Sequence, residues 1–210
     1  MDYTLYKMSP LEEWITTTYQ QHSLSTPEDL DINRIASIFG GEVAYLKTRS
    51  HARWLDDGSN EFLVILDSRL DEPTMRSEFF HELCHPLRHV GNQQLLPKAF
   101  RDLQETQATL FQLYAAIPFF MVKDIELVPH EHDVAFQWSH IFRVPLTLAM
   151  QRFRQVKSRI DQAEYQKTID SYFQNKQSKS HPLNWSDETK QLFLTAIRRK
   201  LEKSKGAIDR

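Results

Sequence analysis

Apolar residues recur at helical spacing along most of the chain. In residues 10–24 they fall one turn apart behind Pro10, which suits the first turn of a helix. A second, shorter helix starts at Pro27 or Asp31 and stops at the paired glycines that begin at Gly40. The same spacing predicts further helices over residues 71–91, 97–118, 129–142, 145–160, 161–174 and 186–204.

Between the second and third helices the pattern changes to short segments rich in β-branched and aromatic residues. These segments are residues 42–48, 51–57 and 60–68, and glycine, aspartate, asparagine or serine bounds each of them. Asp57 and Gly58 form a dipeptide typical of a tight hairpin turn. We therefore predict a small antiparallel sheet followed by many helices, which is the α+β fold class.

The composition is that of a soluble globular protein with a sizeable core, because 40% of the residues are hydrophobic and 26% are charged. The single cysteine, Cys84, excludes an internal disulfide framework and favours a reducing compartment. The N-terminus has no basic start followed by an apolar run, so we expect no secretory signal. With no apolar run near the ~20 residues of a membrane helix, the sequence predicts a cytoplasmic protein without a membrane partner.

Charge is distributed unevenly although the net charge is only −2. Residues 151–210 hold 14 lysines and arginines against 7 acidic residues, whereas residues 1–150 hold 12 against 21. A basic tail of this kind indicates either an interaction surface, nucleic acid included, or a solvated helical face. The solvated face is the favoured interpretation, and direct DNA binding is left open.

The segment "FFHELCHPLRHV", residues 79–90, carries the strongest candidate chemistry. On a helical wheel its apolar residues share one face, and His81, Glu82 and His85 lie on the other. Histidines four apart reach one metal ion, and zinc activates a water whose proton the neighbouring glutamate can take. The alternative is a solvated polar face, but the clean separation of the two faces favours a metal site.

A third ligand is required, and the helix over residues 97–118 offers one. Glu105 lies beside the small Ala108 and opposite the main apolar stripe, so a partner helix can approach it closely. Asp102 is the local competitor. His89 lies about 12 Å from His81 along a straight helix, so we expect it to support the site or to end the helix. The stripe itself consists of Phe100, Leu103, Leu110, Phe111 and Tyr114.

Ligand-type side chains also occur in the run "PHEHD", residues 129–133. The run sits at the start of a predicted helix, where acidic residues more simply stabilise the helix dipole. A second metal site there is the less favoured interpretation.

Two motifs in this order resemble the ImmA/IrrE family of zinc-dependent metallo-endopeptidases. The first is the His-Glu-x-x-His of residues 81–85 with a further histidine four residues on, and the second is "ETQATLFQLYAAIP", residues 105–118. The resemblance covers roughly residues 30–160. It implies that His81, His85 and Glu105 bind Zn²⁺ and that Glu82 is the catalytic base. It also implies substrates that are helix-turn-helix repressors of phages, mobile elements or stress regulons.

Two residues depart from the family pattern. Cys84 stands where the family usually has glycine, and a small buried residue is the favoured role over a redox-sensitive thiol or an accidental ligand. Pro86 removes the backbone hydrogen bond to the Glu82 carbonyl, at a cost of ~3 kcal/mol or more inside a helix. We therefore expect the helix to kink or end near Pro86.

These observations predict two regions. Residues 1–122 form a zincin-like metallopeptidase core, and residues 123–210 form a helical C-terminal region with a helix-turn-helix-like segment at 134–156 and the basic tail. A packing or docking role is favoured for 134–156, and the polar run 174–184 is the best linker.

The predicted function is that of a zinc endopeptidase acting on a protein substrate. One alternative is a non-proteolytic zinc-containing regulatory protein that binds a repressor or DNA, and a weaker one is a zinc amidohydrolase acting on a small molecule. The intact Glu82 favours an enzyme, because a purely structural zinc site has no need of a base. The oligomeric state is left open, as is the oxyanion-stabilising residue, for which His89, Tyr114 and the histidines near residue 130 are the candidates.

Overall fold

The computed structural model describes residues 1–54, 61–89, 96–126, 128, 130–175 and 185–205. The predicted turn at Asp57 and Gly58, and the part of the predicted linker beyond Asn175, lie outside these residues. The helices are α1 (Pro10–Gln21), α2 (Ile32–Ile38), α3 (Glu72–Arg88), α4 (Lys98–Ala116), α5 (Phe119–Val122), α6 (Glu131–Phe142), α7 (Leu146–Asn175) and α8 (Asp187–Lys205). The strands are β1 (Gly41–Leu46), β2 (His51–Trp54) and β3 (Phe62–Asp67).

The sheet of the described residues is mixed, which corrects the prediction that it is antiparallel. Its strand order is β1-β3-β2, with β1 parallel and β2 antiparallel to β3. The most apolar strand, β3, takes the centre, where a continuous apolar run can be covered on both faces. The predicted α+β class is confirmed, with this small sheet followed by helices α3 to α8.

Gly41 begins β1 where the ring of Phe62 on β3 lies against it. A Cβ added at Gly41 would come within 2.1 Å of that ring, and Phe62 is buried. We expect Gly41→Ala to lower the free energy of unfolding by about 1–3 kcal/mol, the usual cost of overpacking a core. Urea unfolding measures the change, with Ala44→Gly in the same strand as a control for altered strand propensity. An unchanged midpoint for Gly41→Ala would contradict the close packing.

Helix α3 presents its apolar face to the core and ends one turn after its histidines. Asp71 caps its first turn by accepting a hydrogen bond from Thr74 N at 3.0 Å. The helix includes Pro86 and ends two residues later, at Arg88. This confirms the predicted end near Pro86. The N–H of His89 donates to the His85 carbonyl at 3.0 Å, which closes the last turn. The fully buried apolar residues of α3 are Phe79, Phe80 and Leu83.

Helix α4 is buried mainly in its second half, which corrects part of the predicted apolar stripe. Phe111 and Tyr114 are buried as predicted, but Phe100, Leu103 and Leu110 are exposed. All buried residues of α4 lie at Ala108 or later, which accounts for the exposure of Phe100 and Leu103 but not for that of Leu110. Contact with α3 is also polar, since the Gln112 Nε2 donates to both the carbonyl and the Oγ of Ser77 at 2.8 Å.

Helix α6 and the part of α7 up to Ile160 pack their apolar residues into the same core as the sheet and α1. Trp138 and Phe142 of α6 are fully buried, as is Arg152 of α7. This confirms a packing role for the helix-turn-helix-like segment. Arg143 adopts a left-handed conformation between α6 and α7, with a φ of 52°.

The chain divides into two compact units, and the boundary between them along the sequence falls within α7, between Ile160 and Asp161. This boundary lies further along the chain than the predicted division after residue 122. The division into a metallopeptidase core and a C-terminal region remains a prediction. Residues 145–160 and 161–174 were expected to form two helices, but Leu146–Asn175 is the single helix α7. In the second unit, the Tyr165 hydroxyl donates to the Leu194 carbonyl at 2.9 Å, and Trp185 packs edge-on against Phe193. Within the described residues, every helix is too short or too polar to span a bilayer.

Candidate metal centre

Helices α3 and α4 bring together the three residues predicted to bind a metal. The His81 Nε2 lies 3.1 Å from Glu105 Oε2, and the His85 Nε2 lies 3.9 Å from Glu105 Oε1. One ligand atom from each residue lies within 4.8 Å of the other two, so the three could hold one metal ion. The spacing of the histidines and the position of Glu105 on α4 are the features that the sequence predicted.

The chemistry of this donor set fits Zn²⁺. Two imidazole nitrogens and one carboxylate oxygen form a three-ligand set of the kind that leaves a catalytic zinc one open position. The exposed fraction differs between the ligands: the His85 side chain is 5% exposed, His81 is 23% and Glu105 is 53%. The cluster is therefore closed on the side of His85 and open to solvent on the side of Glu105.

The surroundings of His85 favour its neutral imidazole, which is the form that binds a metal. Burial lowers the pKa of His85 to about 4, although the carboxylate of Glu105 opposes the shift. The imidazole is therefore neutral near pH 7, and a neutral imidazole has the lone pair with which it binds zinc.

Glu82 lies beside the three-ligand cluster and is held by the edge of the sheet. Its Oε2 accepts a hydrogen bond from the N–H of Ala52 on β2 at 3.2 Å. Burial raises the pKa of Glu82 to about 7, and the nearby carboxylates of Glu105 and Glu78 also raise it. A carboxylate with a pKa near the working pH is suited to take up and release a proton.

His89 and Gln107 lie on the side of His85 that faces away from Glu105, and hydrogen bonds connect them to the His85 ring. The Nδ1 of His89 is 3.0 Å from the Nδ1 of His85, and the Nε2 of His89 is 3.2 Å from Gln107 Oε1. His89 also follows the last residue of α3, so its predicted role at the helix end is confirmed. Gln107 was not predicted, because residues two apart on a helix point in different directions and its place after Glu105 gives no signal of this contact.

Other residues considered from the sequence lie apart from the cluster. Asp102 is not part of the convergent set, and its carbonyl accepts a hydrogen bond from the Thr106 hydroxyl. The Tyr114 hydroxyl accepts hydrogen bonds from Gln155 and Arg159 at 3.0 and 2.7 Å, in a separate buried network. His130 is exposed at the start of α6, and residue 129 and the side chains of residues 131 and 132 lie outside the described residues.

Cys84 is buried, as predicted. Only 1% of the residue is exposed, and burial raises the pKa of its thiol to about 12. A thiol in this state is protonated and inert, which fits a small core residue better than a redox-sensitive one.

Comparison with known proteins places this site within a family. The model of the peptidase M78 family, described as the IrrE N-terminal-like domain, matches residues 36–154, which is more than half of the chain. The chain belongs to this family. The match to the peptidase M78 model includes both histidine ligand candidates, Glu82 and Glu105, and it confirms the resemblance stated from the sequence motifs.

Two proteins of Bacillus subtilis (strain 168) are similar over most of their lengths. The phage-like element PBSX protein XkdA is 28% identical over 162 residues, which cover 77% of this chain and 80% of that protein. The uncharacterized protein YqaB is 26% identical over 164 residues, which cover 78% of this chain and 94% of that protein. Membership of the M78 family points to a metallopeptidase-like role, since the family is one of proteases.

Proposed function

We propose that this protein is a zinc-dependent endopeptidase that cleaves a helix-turn-helix transcriptional repressor. The observation that carries the peptidase part is the convergence of His81, His85 and Glu105 with Glu82 beside them. Membership of a peptidase family supports the same reaction class. The cytoplasmic location predicted from the sequence belongs to this proposal.

Each residue of the site has a distinct part in the proposed hydrolysis. His81, His85 and Glu105 would hold Zn²⁺, which supplies a Lewis acid and lowers the pKa of a water toward ~7. Glu82 accepts the proton of the attacking water and later delivers it to the leaving amine. The N–H of Ala52 keeps the Glu82 carboxylate in place through its hydrogen bond. The open side near Glu105 admits the peptide.

Two findings support a repressor as the substrate. The ImmA/IrrE resemblance implies it, and one relative is named as a protein of a phage-like element. The resemblance links repressor cleavage with phages and mobile elements, and the printed name of this relative fits that link. The anchored Glu82 favours cleavage over simple binding of that repressor, because a binding protein needs no base.

The metal-binding part of the proposal predicts the zinc content of the purified protein. We expect about one zinc per chain in the wild type and a strongly reduced content in His81→Ala and in Glu105→Gln, because three ligands are needed. Elemental analysis after dialysis against a weak chelator measures it. Asp102→Asn is the matched control on α4, since it removes a carboxylate outside the cluster, and it should keep its zinc.

Full zinc in Glu105→Gln would mean that the third ligand lies elsewhere. If the wild type holds no zinc even after refolding with the metal, the endopeptidase proposal is wrong. Should the zinc-loaded protein leave purified helix-turn-helix repressors intact by mass spectrometry, the non-proteolytic binding alternative is favoured instead.

A further inference from the structure

A chain of hydrogen bonds connects the candidate ligand His85 with Gln107 on the neighbouring helix. It passes from His85 Nδ1 to His89 Nδ1 over 3.0 Å, and from His89 Nε2 to Gln107 Oε1 over 3.2 Å. Both histidines are buried, whereas Gln107 is exposed. The chain therefore runs from the site to the surface of α4.

The direction of these hydrogen bonds follows from the chemistry of the groups at the two ends. If His85 binds a metal through the Nε2 that faces Glu105, its proton must be on Nδ1 and be donated to His89. His89 then accepts at Nδ1 and carries its own proton on Nε2. That proton is donated to the amide oxygen of Gln107, which can only accept.

The group at position 107 in turn influences the tautomer of His85. An acceptor at position 107 favours the proton on His89 Nε2, which leaves His89 Nδ1 as an acceptor. His85 is then favoured in the tautomer whose Nε2 has a lone pair toward Glu105. A donor at position 107 would reverse both hydrogen bonds and put a proton on the His85 Nε2, where a metal has to bind.

We propose that Gln107 and His89 are positioning residues that fix the tautomer and ring orientation of His85 for metal binding. The proposal rests on the proposed function, because it requires His85 to be a metal ligand. Groups that hydrogen-bond to a metal-binding histidine from behind orient its ring, and their loss typically weakens metal binding ~10–100-fold.

The position of Gln107 makes the proposal testable without disturbing the core. Its side chain is exposed, so Gln107→Met removes the acceptor and leaves no buried cavity. Gln107→Glu keeps an acceptor at the same place. Thr106→Glu is the matched control for the added negative charge, because Thr106 is the neighbouring exposed residue and does not take part in the chain.

The first measurement is the Kd for Zn²⁺, determined by competition with a chromophoric chelator. We expect Gln107→Met to raise the Kd about 10–100-fold. Gln107→Glu should bind zinc at least as tightly as the wild type, and it should bind more tightly than Thr106→Glu. The unfolding midpoint of the metal-free Gln107→Met protein should fall only slightly, because a single hydrogen bond is lost, and so small a change does not account for an about 10–100-fold higher Kd.

The second measurement is the ¹⁵N spectrum of histidine-labelled protein, which reports the ring nitrogen that carries the proton. In the wild type we expect His85 protonated on Nδ1 and His89 on Nε2, and in Gln107→Met a mixture of tautomers in the metal-free protein. The positioning role is wrong if Gln107→Met keeps wild-type zinc affinity, or if Gln107→Met and Gln107→Glu weaken it equally. If the wild type itself binds no zinc, this proposal and the proposed function both fail.

Discussion

Replacing Glu82 by glutamine is expected to reduce the rate of peptide cleavage about 10²- to 10⁴-fold, the usual contribution of a general base. Glutamine has nearly the shape of glutamate but cannot take up the proton of the attacking water. Its amide oxygen can still accept the hydrogen bond from Ala52 N that Glu82 Oε2 accepts at 3.2 Å. Zinc content should stay at the wild-type level, because Glu82 is outside the convergent ligand set.

Glu78→Gln is the control for this experiment. Glu78 lies one turn earlier on the same helix, is partly buried, and its carboxylate also acts on the charge of Glu82. Removing it changes the local charge by the same amount without removing the proposed base. Cleavage by Glu78→Gln should remain within a few-fold of the wild type. Equal losses in the two variants, or full activity of Glu82→Gln, would contradict the role proposed for Glu82.

The part of the candidate site that lies on one helix was predictable from the sequence. The spacing of His81 and His85 determines their common face on a helix, and Glu82 follows one residue on. The wheel of α4 also placed Glu105 on the correct side, and the structure brings its carboxylate to both histidines. The contact of Gln107 with His89 was not predictable, because it depends on the distance and rotation between two helices.

The relative direction of the strands could not be predicted from the sequence either. The composition of short strands does not fix their mutual direction, so the strands β1 and β3 were predicted but their antiparallel pairing was wrong. Apolar spacing along α4 likewise predicted a buried face, yet it does not tell which turns of the helix have a partner. Phe100 and Leu103 precede Ala108, the first buried residue of the helix, and both are exposed.

The burial of the charged residue Arg152 was not predicted from the sequence. It belongs to the basic part of the chain, whose favoured interpretation was a solvated face, yet it is 0% exposed. Its Nη2 lies 2.7 Å from Glu12 Oε1 on α1, and its Nε donates to the Ile117 carbonyl at 3.1 Å. Arg159 also forms an ion pair with Glu12. This network ties α7 to α1, which are far apart in the sequence.

The Arg152→Met variant is expected to lose about 3–5 kcal/mol of the free energy of unfolding, because it leaves the buried carboxylate of Glu12 with less compensation. Glu12 is 3% exposed, so solvent replaces little of the lost interaction. Urea unfolding of the metal-free protein measures the change. Arg154→Met is the matched control, since Arg154 is an exposed arginine of the same helix. It should change the free energy of unfolding by less than about 0.5 kcal/mol.

The pH dependence of this difference tests its electrostatic origin. Burial tends to raise the pKa of Glu12, but Arg152 and the hydrogen bonds from Ser9 and Tyr6 outweigh burial and hold it below the ordinary value of 4.5. The stabilisation is therefore fully present above pH 4.5 and is lost as the pH falls through the lower pKa of the folded state. The difference in the free energy of unfolding between the wild type and Arg152→Met should therefore become smaller in acid. A gap that stays constant down to the pKa of the folded state would mean that Arg152 stabilises the protein through packing alone, because packing does not depend on the charge of Glu12.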